Sequence, residues 1–283
     1  MNYQTDTITS YDGLKLKRYT WLPEGEPRGR VLMIHGFTEH GRRLKPLAER
    51  FARAGFIAVA PDLRGHGESD GAPIYIRSFD DFLADLDQIY EEVRPNGSDE
   101  PLFLFAHSMG GAISTLFTAT HRPDIAGLAL SAPAVTIGSH IYPALRQLAK
   151  IFSYILPKLR LVRIGARWVS RDPDVIDDFH SDPLNYHGSI PIRTAAEIMR
   201  ATKMIRRTAE QIEAPLFLMQ GTDDRICSPQ GAELLYEIAG TDDKTIKFYD
   251  GLYHSLVEEP EKETVIGDLF KWVEARTPRE EHA

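Results

Sequence analysis

Cysteine is almost absent from this 283-residue chain, and the single Cys227 excludes an internal disulfide framework and any cysteine-based zinc cluster. Long apolar runs are missing too: no stretch reaches the roughly 18 residues a membrane span needs. Residues 1–6, Met-Asn-Tyr-Gln-Thr-Asp, have neither the basic start nor the apolar centre of a secretory signal, so a cytoplasmic location is the expectation. Positive charge is in short supply, with 33 Lys and Arg against 41 Asp and Glu and a net charge of −8, which argues against nucleic acid as a partner. No internal repeat or low-complexity tract stands out. What remains is an ordinary globular composition, 42% hydrophobic and 26% charged, able to bury a large core as one domain with an insertion or as two small ones.

Acidic residues are missing locally as well. From Ile125 to Arg171 there is none, while seven cations occur: Arg146, Lys150, Lys158, Arg160, Arg163, Arg167 and Arg171. The same block is apolar, with Ile141, Leu145, Leu148, Phe152, Ile155, Leu156 and Leu159 at helical spacing.

Elsewhere strands and helices alternate. Residues 5–9 and 14–22 read as a hairpin about Tyr11-Asp-Gly13, and 31–35 as a buried strand. A helix over 43–54 ends at Gly55, a strand covers 56–60, a helix 79–93, a strand 101–106, a helix 110–120 and a strand 125–131. After an interruption over about 135–207, strands at 216–220 and 245–249 alternate with helices at 230–238 and 261–275, and 277–283 reads as a frayed tail. This alternation predicts a mostly parallel sheet covered by helices on both faces. Ligands of such sheets bind beyond the carboxyl ends of the strands, so the loops there carry the chemistry.

Four of those loops are chemically equipped. Leu104-Phe-Ala-His-Ser108-Met-Gly-Gly111 places a serine where a continuously apolar strand meets a small-residue helix, a turn that lifts the hydroxyl clear of the sheet. The elbow pattern G-x-S-x-G is met except that Ala106 stands for the first glycine. His35-Gly-Phe-Thr-Glu-His-Gly41 offers free backbone N–H groups, Gly221-Thr-Asp-Asp-Arg-Ile-Cys227 a carboxylate from Asp223 or Asp224, and Asp250-Gly-Leu-Tyr-His254 an imidazole. A serine hydroxyl needs an imidazole to take its proton, the imidazole needs a carboxylate to fix its tautomer, and the tetrahedral intermediate needs donors for its oxyanion. The N–H groups of Phe37 and Met109 are placed for that last task. Singly, the serine reads as a helix cap and the others as loop polar groups. Three strand-end loops supplying Ser, Asp and His in that order point to a working triad.

These segments, with Pro61-Asp-Leu-Arg-Gly-His-Gly-Glu-Ser69, Asp250-Gly-Leu-Tyr-His-Ser255, Ser170-Arg-Asp-Pro-Asp174 and Ser181-Asp-Pro-Leu184, resemble the monoacylglycerol lipase branch of the α/β-hydrolases over about residues 5–276. The resemblance implies an α/β-hydrolase fold: a mostly parallel central sheet with helices on both faces, a core of 1–134 and 208–283, and a helical cap, or lid, at 135–207 supplying the substrate-binding residues. It implies Ser108 as nucleophile, His254 as base, Asp224 as the acid, Phe37 and Met109 as oxyanion donors, and no metal or other cofactor. His35, His40 and His66 accordingly read as structural rather than as metal ligands, and Arg64-Gly-His-Gly67 as a turn bracing the site. The expected activity is hydrolysis of single-chain acyl esters, monoacylglycerols first, with lysophospholipase and short-chain carboxylesterase as rivals and an aminopeptidase behind them. An Asp-nucleophile hydrolase is disfavoured by Ser108, and a non-catalytic scaffold by the complete triad. The cap's apolar side would form an acyl tunnel with its cations near an anionic membrane surface, or simply pack on the core. Cys227, three residues beyond Asp224, reads as a site where a bulky thiol reagent slows the enzyme or as a small apolar filler.

Overall fold

A computed structural model describes residues 2–95, 100–136, 152–162 and 165–278. Eight strands form one sheet in the order β1 (Asn2–Thr9), β2 (Lys15–Leu22), β4 (Phe56–Pro61), β3 (Gly29–Ile34), β5 (Leu102–His107), β6 (Gly127–Ser131), β9 (Leu216–Gly221) and β10 (Lys244–Tyr249). β2 runs antiparallel to β1 and to β4; every pairing from β4 through β10 is parallel. Those six strands therefore end on one edge of the sheet.

Helices cover both faces. α1 (Lys45–Arg53) and α7 (Lys262–Glu274) close one side through Leu47, Phe51, Val265 and Leu269. α2 (Asp80–Val93), α3 (Met109–His121) and α6 (Pro229–Ile238) close the other through Phe82, Leu86, Ile113, Leu116 and Leu235. The central strand shows why its sequence is apolar without alternation. Leu102, Leu104 and Ala106 point into one core and Phe103 and Phe105 into the other. Burying each of the two Leu and two Phe side chains contributes roughly 1.5–3 kcal/mol.

Within residues 135–207, segments 137–151 and 163–164 lie outside the described residues. The described part contains a short antiparallel ribbon, β7 (Arg160–Val162) with β8 (Ile190–Pro191), then α4 (Pro173–Ser181) and α5 (Ile192–Thr208). α5 returns to the body of the protein, burying Ile198, Ala201 and Ile205 in the core on α3's side of the sheet. Ile141, Leu145, Leu148, Arg146, Lys150 and Arg163 lie outside the described residues. Of the remaining apolar positions of the block, Ile155 is 66% and Leu156 50% exposed, so these side chains do not pack on the core.

One expectation needs correcting at the C-terminus. Thr277 is buried and its hydroxyl donates to the Val273 carbonyl at 3.0 Å, so it closes α7 rather than beginning a loose tail. Residues 279–283 lie outside the described residues.

Candidate active site

The loops that end β3, β5, β9 and β10 meet at the carboxyl edge of the sheet. Ser108 follows β5 directly and caps α3 with φ 54° and ψ −117°, a conformation that costs a non-glycine residue about 1–3 kcal/mol. The core holds it there. Its N–H donates to the Ser131 carbonyl at 3.0 Å, and its carbonyl accepts from Ala134 N–H at 2.9 Å and Ala112 N–H at 3.2 Å. A Cβ at Gly110 would stand 2.5 Å from the Ile34 carbonyl oxygen and 2.6 Å from that of His35, so α3 can abut β3 only with glycine there. Ala106 is different: it is fully buried within β5, opposite Ile34 and Leu130, and is not among the residues with positive φ. The missing first glycine is thus one the backbone does not require.

His254 stands between the other two sequence-predicted groups. Ser108 Oγ lies 2.8 Å from His254 Nε2, and His254 Nδ1 lies 2.8 Å from Asp224 Oδ2, all three residues being buried. Asp224 Oδ1 accepts from the N–H groups of Ile226 at 2.8 Å and Cys227 at 3.0 Å. Burial works against the Asp224 carboxylate, but its pKa still falls below the ordinary value because the His254 charge and these donors outweigh burial. Burial likewise opposes the His254 imidazolium, and Asp224, with help from Glu39, nevertheless raises its pKa. Asp223 is exposed and donates its N–H to the Leu252 carbonyl at 3.1 Å, so the geometry brings Asp224 and not Asp223 to the imidazole.

The first loop runs against the elbow: a Cβ at Gly36 would lie 3.3 Å from that of Ser108. Met109 is the first residue of α3, so its N–H has no carbonyl four residues back in the helix. Phe37 sits half-buried in the first loop, its ring edge-on to His66 at 5.9 Å. His35 donates from Nδ1 to the Gly36 carbonyl at 2.7 Å and accepts the Leu63 N–H at Nε2 at 3.0 Å, which occupies both nitrogens and leaves neither for a metal. His66 packs on His35 at 5.3 Å, while the Arg64 guanidinium grips Asp85 and Asp12, so residues 64–67 brace the loop. Thr38, at φ 65°, gives its carbonyl to Tyr186 N–H at 2.8 Å, and His40 Nε2 lies 2.9 Å from Asp182.

Several residues at the site were not singled out by the sequence reading. Gln220, the penultimate residue of β9, donates to Asp224 Oδ2 at 3.1 Å from a fully buried position; a polar residue closing an apolar strand was its only signal. The buried Glu39 accepts the Gly36 N–H at 3.2 Å. The His107 ring lies 4.7 Å from the His254 ring, tilted by 52°, and burial drives its pKa to about 4, keeping a second positive charge away from the imidazole. Cys227 is buried against Ser108; burial and Asp224 push its thiol pKa well up, which shields it from thiol reagents. A cleft of about 870 Å³ opens where the first loop meets the 175–183 segment, lined by His40, Arg43, Asp182 and Glu258 among others, but Ser108 does not line it.

This arrangement can draw a proton from Ser108 Oγ to His254 Nε2 while Asp224 steadies the resulting imidazolium. Comparison with known proteins agrees with such chemistry. The serine aminopeptidase S33 family matches residues 25–261. Monoacylglycerol lipase of Mycolicibacterium smegmatis is 31% identical over 261 residues, covering 92% of this chain and 93% of that one. Monoglyceride lipase of Rattus norvegicus is 34% identical over 272 residues, covering 95% and 90%. The crystal structure of Paleococcus ferrophilus monoacylglycerol lipase superposes with a TM-score of 0.84 at 32% identity, covering 92% of this chain and 99% of that one. The chain belongs to the serine aminopeptidase S33 family, in the monoacylglycerol lipase-like branch of the α/β-hydrolases, and is a serine-type carboxylic ester hydrolase.

Proposed function

We propose that Ser108 is the nucleophile, His254 its general base, Asp224 the orienting acid, and the Phe37 and Met109 N–H groups the oxyanion donors, acting on monoacylglycerols to give fatty acid and glycerol. The observation that carries this reading is the chain of 2.8 Å contacts from Ser108 through His254 to Asp224. His254 takes the Ser108 proton as Oγ bonds to the ester carbon, and the carbonyl oxygen becomes an oxyanion. Collapse breaks the bond to the glycerol oxygen, which leaves with the proton from His254. A water then gives its proton to His254 as it bonds to the acyl-serine carbonyl carbon, and collapse breaks the bond to Oγ, which takes the proton back from His254 as the fatty acid leaves. Residues 135–207 form the cap that admits a single acyl chain.

The exposed turn of that cap carries a second, finer reading. Tyr154, Ile155 and Leu156 stand out beside Lys158 and Arg160, which have no carboxylate partner among the described residues, and together they suit the surface of an anionic membrane. Among the described residues no helix is long and apolar enough to cross a membrane. Binding to vesicles should rise with their anionic lipid content and fall with salt; absence of binding at low salt would remove this reading.

The activity is tested with a matched panel of monoacylglycerols, lysophosphatidylcholines and simple esters, alongside fluorophosphonate labelling. Ser108→Ala should abolish labelling and lower turnover about 10⁶-fold. Labelling that survives in Ser108→Ala would move the nucleophile elsewhere, and a preference for the charged phospholipid head group would displace the glycerolipid assignment.

A further inference from the structure

The loop that carries His254 is gripped from two sides. On the core side, Asp223 N–H donates to Leu252 C=O, and Gly221 lacks a side chain because the Leu252 and Tyr253 carbonyls stand against it. On the other side lies a stretch of the insertion, residues 168–172. Ser255, next in the chain after His254, donates its N–H to the Val169 carbonyl at 2.7 Å, and the Ser170 hydroxyl donates to the Glu258 carbonyl at 3.4 Å. Arg171 donates from its backbone N–H to Glu259 Oε1 at 2.8 Å and from Nε to Glu259 Oε2 at 2.6 Å, and its guanidinium also meets Glu261.

Glu259 is fully buried. An ionised carboxylate is tolerated there only with strong compensation, and among the described residues both of its oxygens are served by Arg171 alone. Between Glu259 and His254 lies the short 3-10 turn Leu256–Glu258, anchored by the buried Leu256. A turn this short and this packed transmits a displacement of Glu259 to the imidazole rather than absorbing it.

Building on the triad reading above, we infer that Arg171 and Glu259 are positioning residues for His254, a clasp that fixes the imidazole between Asp224 and Ser108. The hydrogen bonds at both ring nitrogens leave little room for error, since a misplacement of about 1 Å can lower a rate about 100-fold. Segment 168–172 is therefore part of the catalytic frame, although it belongs in sequence to the insertion. The charged and titratable groups acting on the ring are Asp224, Glu39 and His107, none of which the clasp touches.

The test uses the full chain with Arg171→Ala, Arg171→Lys and Glu259→Gln, each normalised to active sites titrated to completion with a fluorophosphonate. Arg171→Ala and Glu259→Gln should lower kcat by about 10- to 100-fold with KM within about threefold of wild type. They should also move the acid limb of kcat/KM to lower pH, because a ring drawn away from Asp224 loses the support that raises its pKa. Arg171→Lys, which keeps the charge, should recover part of the lost kcat. Unchanged kcat per titrated site and an unmoved acid limb in Arg171→Ala would overturn the inference, whatever happens to thermal stability. The Arg171 side chain is 32% exposed, so this variant carries the test should Glu259→Gln fail to fold. A wild type that neither labels nor hydrolyses esters would sink the triad reading itself, an outcome distinct from active wild type with indifferent variants.

Discussion

Ser108 and His254 approach to 2.8 Å, yet they are held by different means. The elbow is a property of the core: Ser131, Ala134 and Ala112 fix the Ser108 backbone, and Gly110 lets α3 press on β3. The base loop borrows half its support from the insertion, through Val169, Ser170 and Arg171. The difference teaches that the proposed nucleophile is held by the core of the fold alone, while the proposed base also leans on a segment outside that core.

Among variants that keep the Ser108 hydroxyl, the largest effect should come from the base side. Asp224→Asn should lower kcat about 10⁴-fold, since the amide would hold His254 in the wrong tautomer. In wild type, Asp224 raises the His254 pKa above its ordinary 6.5, and the base works only when neutral, so kcat/KM should fall as pH drops through a midpoint above 6.5. A limb well below 6.5 would contradict that balance between burial and the carboxylate.

On the elbow side the penalty should be structural. Gly110→Ala places a methyl against two backbone carbonyls and should destabilise the fold by about 1–3 kcal/mol or more, read as a fall in denaturation midpoint. Unaltered stability would mean that α3 can withdraw from β3. Hydrogen exchange compares the two regions directly: the Ser255 amide, bonded across to the insertion, should exchange at least about tenfold faster than the Ser108 amide, bonded within the core. Equal protection would erase the contrast. The smallest effect is expected of Ala106→Gly, which restores the elbow's usual glycine where none is needed: activity unchanged and stability lower by about 0.5–1 kcal/mol.

Much of this was legible from the chain because the signals were local. The continuous apolar run 102–106 announces a strand buried on both faces, and the serine, aspartate and histidine each follow a strand, where the sheet must bring them to one edge. Choosing Asp224 over Asp223 needed a resemblance or the coordinates, since neighbouring residues in one loop carry the same periodic signal. The Arg171–Glu259 clasp stayed hidden for another reason: its partners are 88 residues apart in sequence, and nothing in either local pattern names the other. Gln220 stands only four residues from Asp224, but a polar residue near the end of an apolar strand does not by itself name its partner. The order of the strands, with β4 between β2 and β3, is likewise a long-range fact.

Three residues without glycine's freedom, Thr38, Ser108 and Ala132, hold positive φ at 65°, 54° and 48°, each just beyond a strand that ends at the catalytic edge. A positive φ costs such residues about 1–3 kcal/mol each, in a protein class whose whole margin is about 5–15 kcal/mol. Selection for heat tolerance would be drawn to Thr38 and Ala132, where glycine relieves the tension outright, and not to Ser108, whose hydroxyl glycine would remove. Variants collected at those two positions would survive higher temperatures and turn over more slowly, because the relaxed loops would no longer hold the Ser108 hydroxyl and the backbone donors in register.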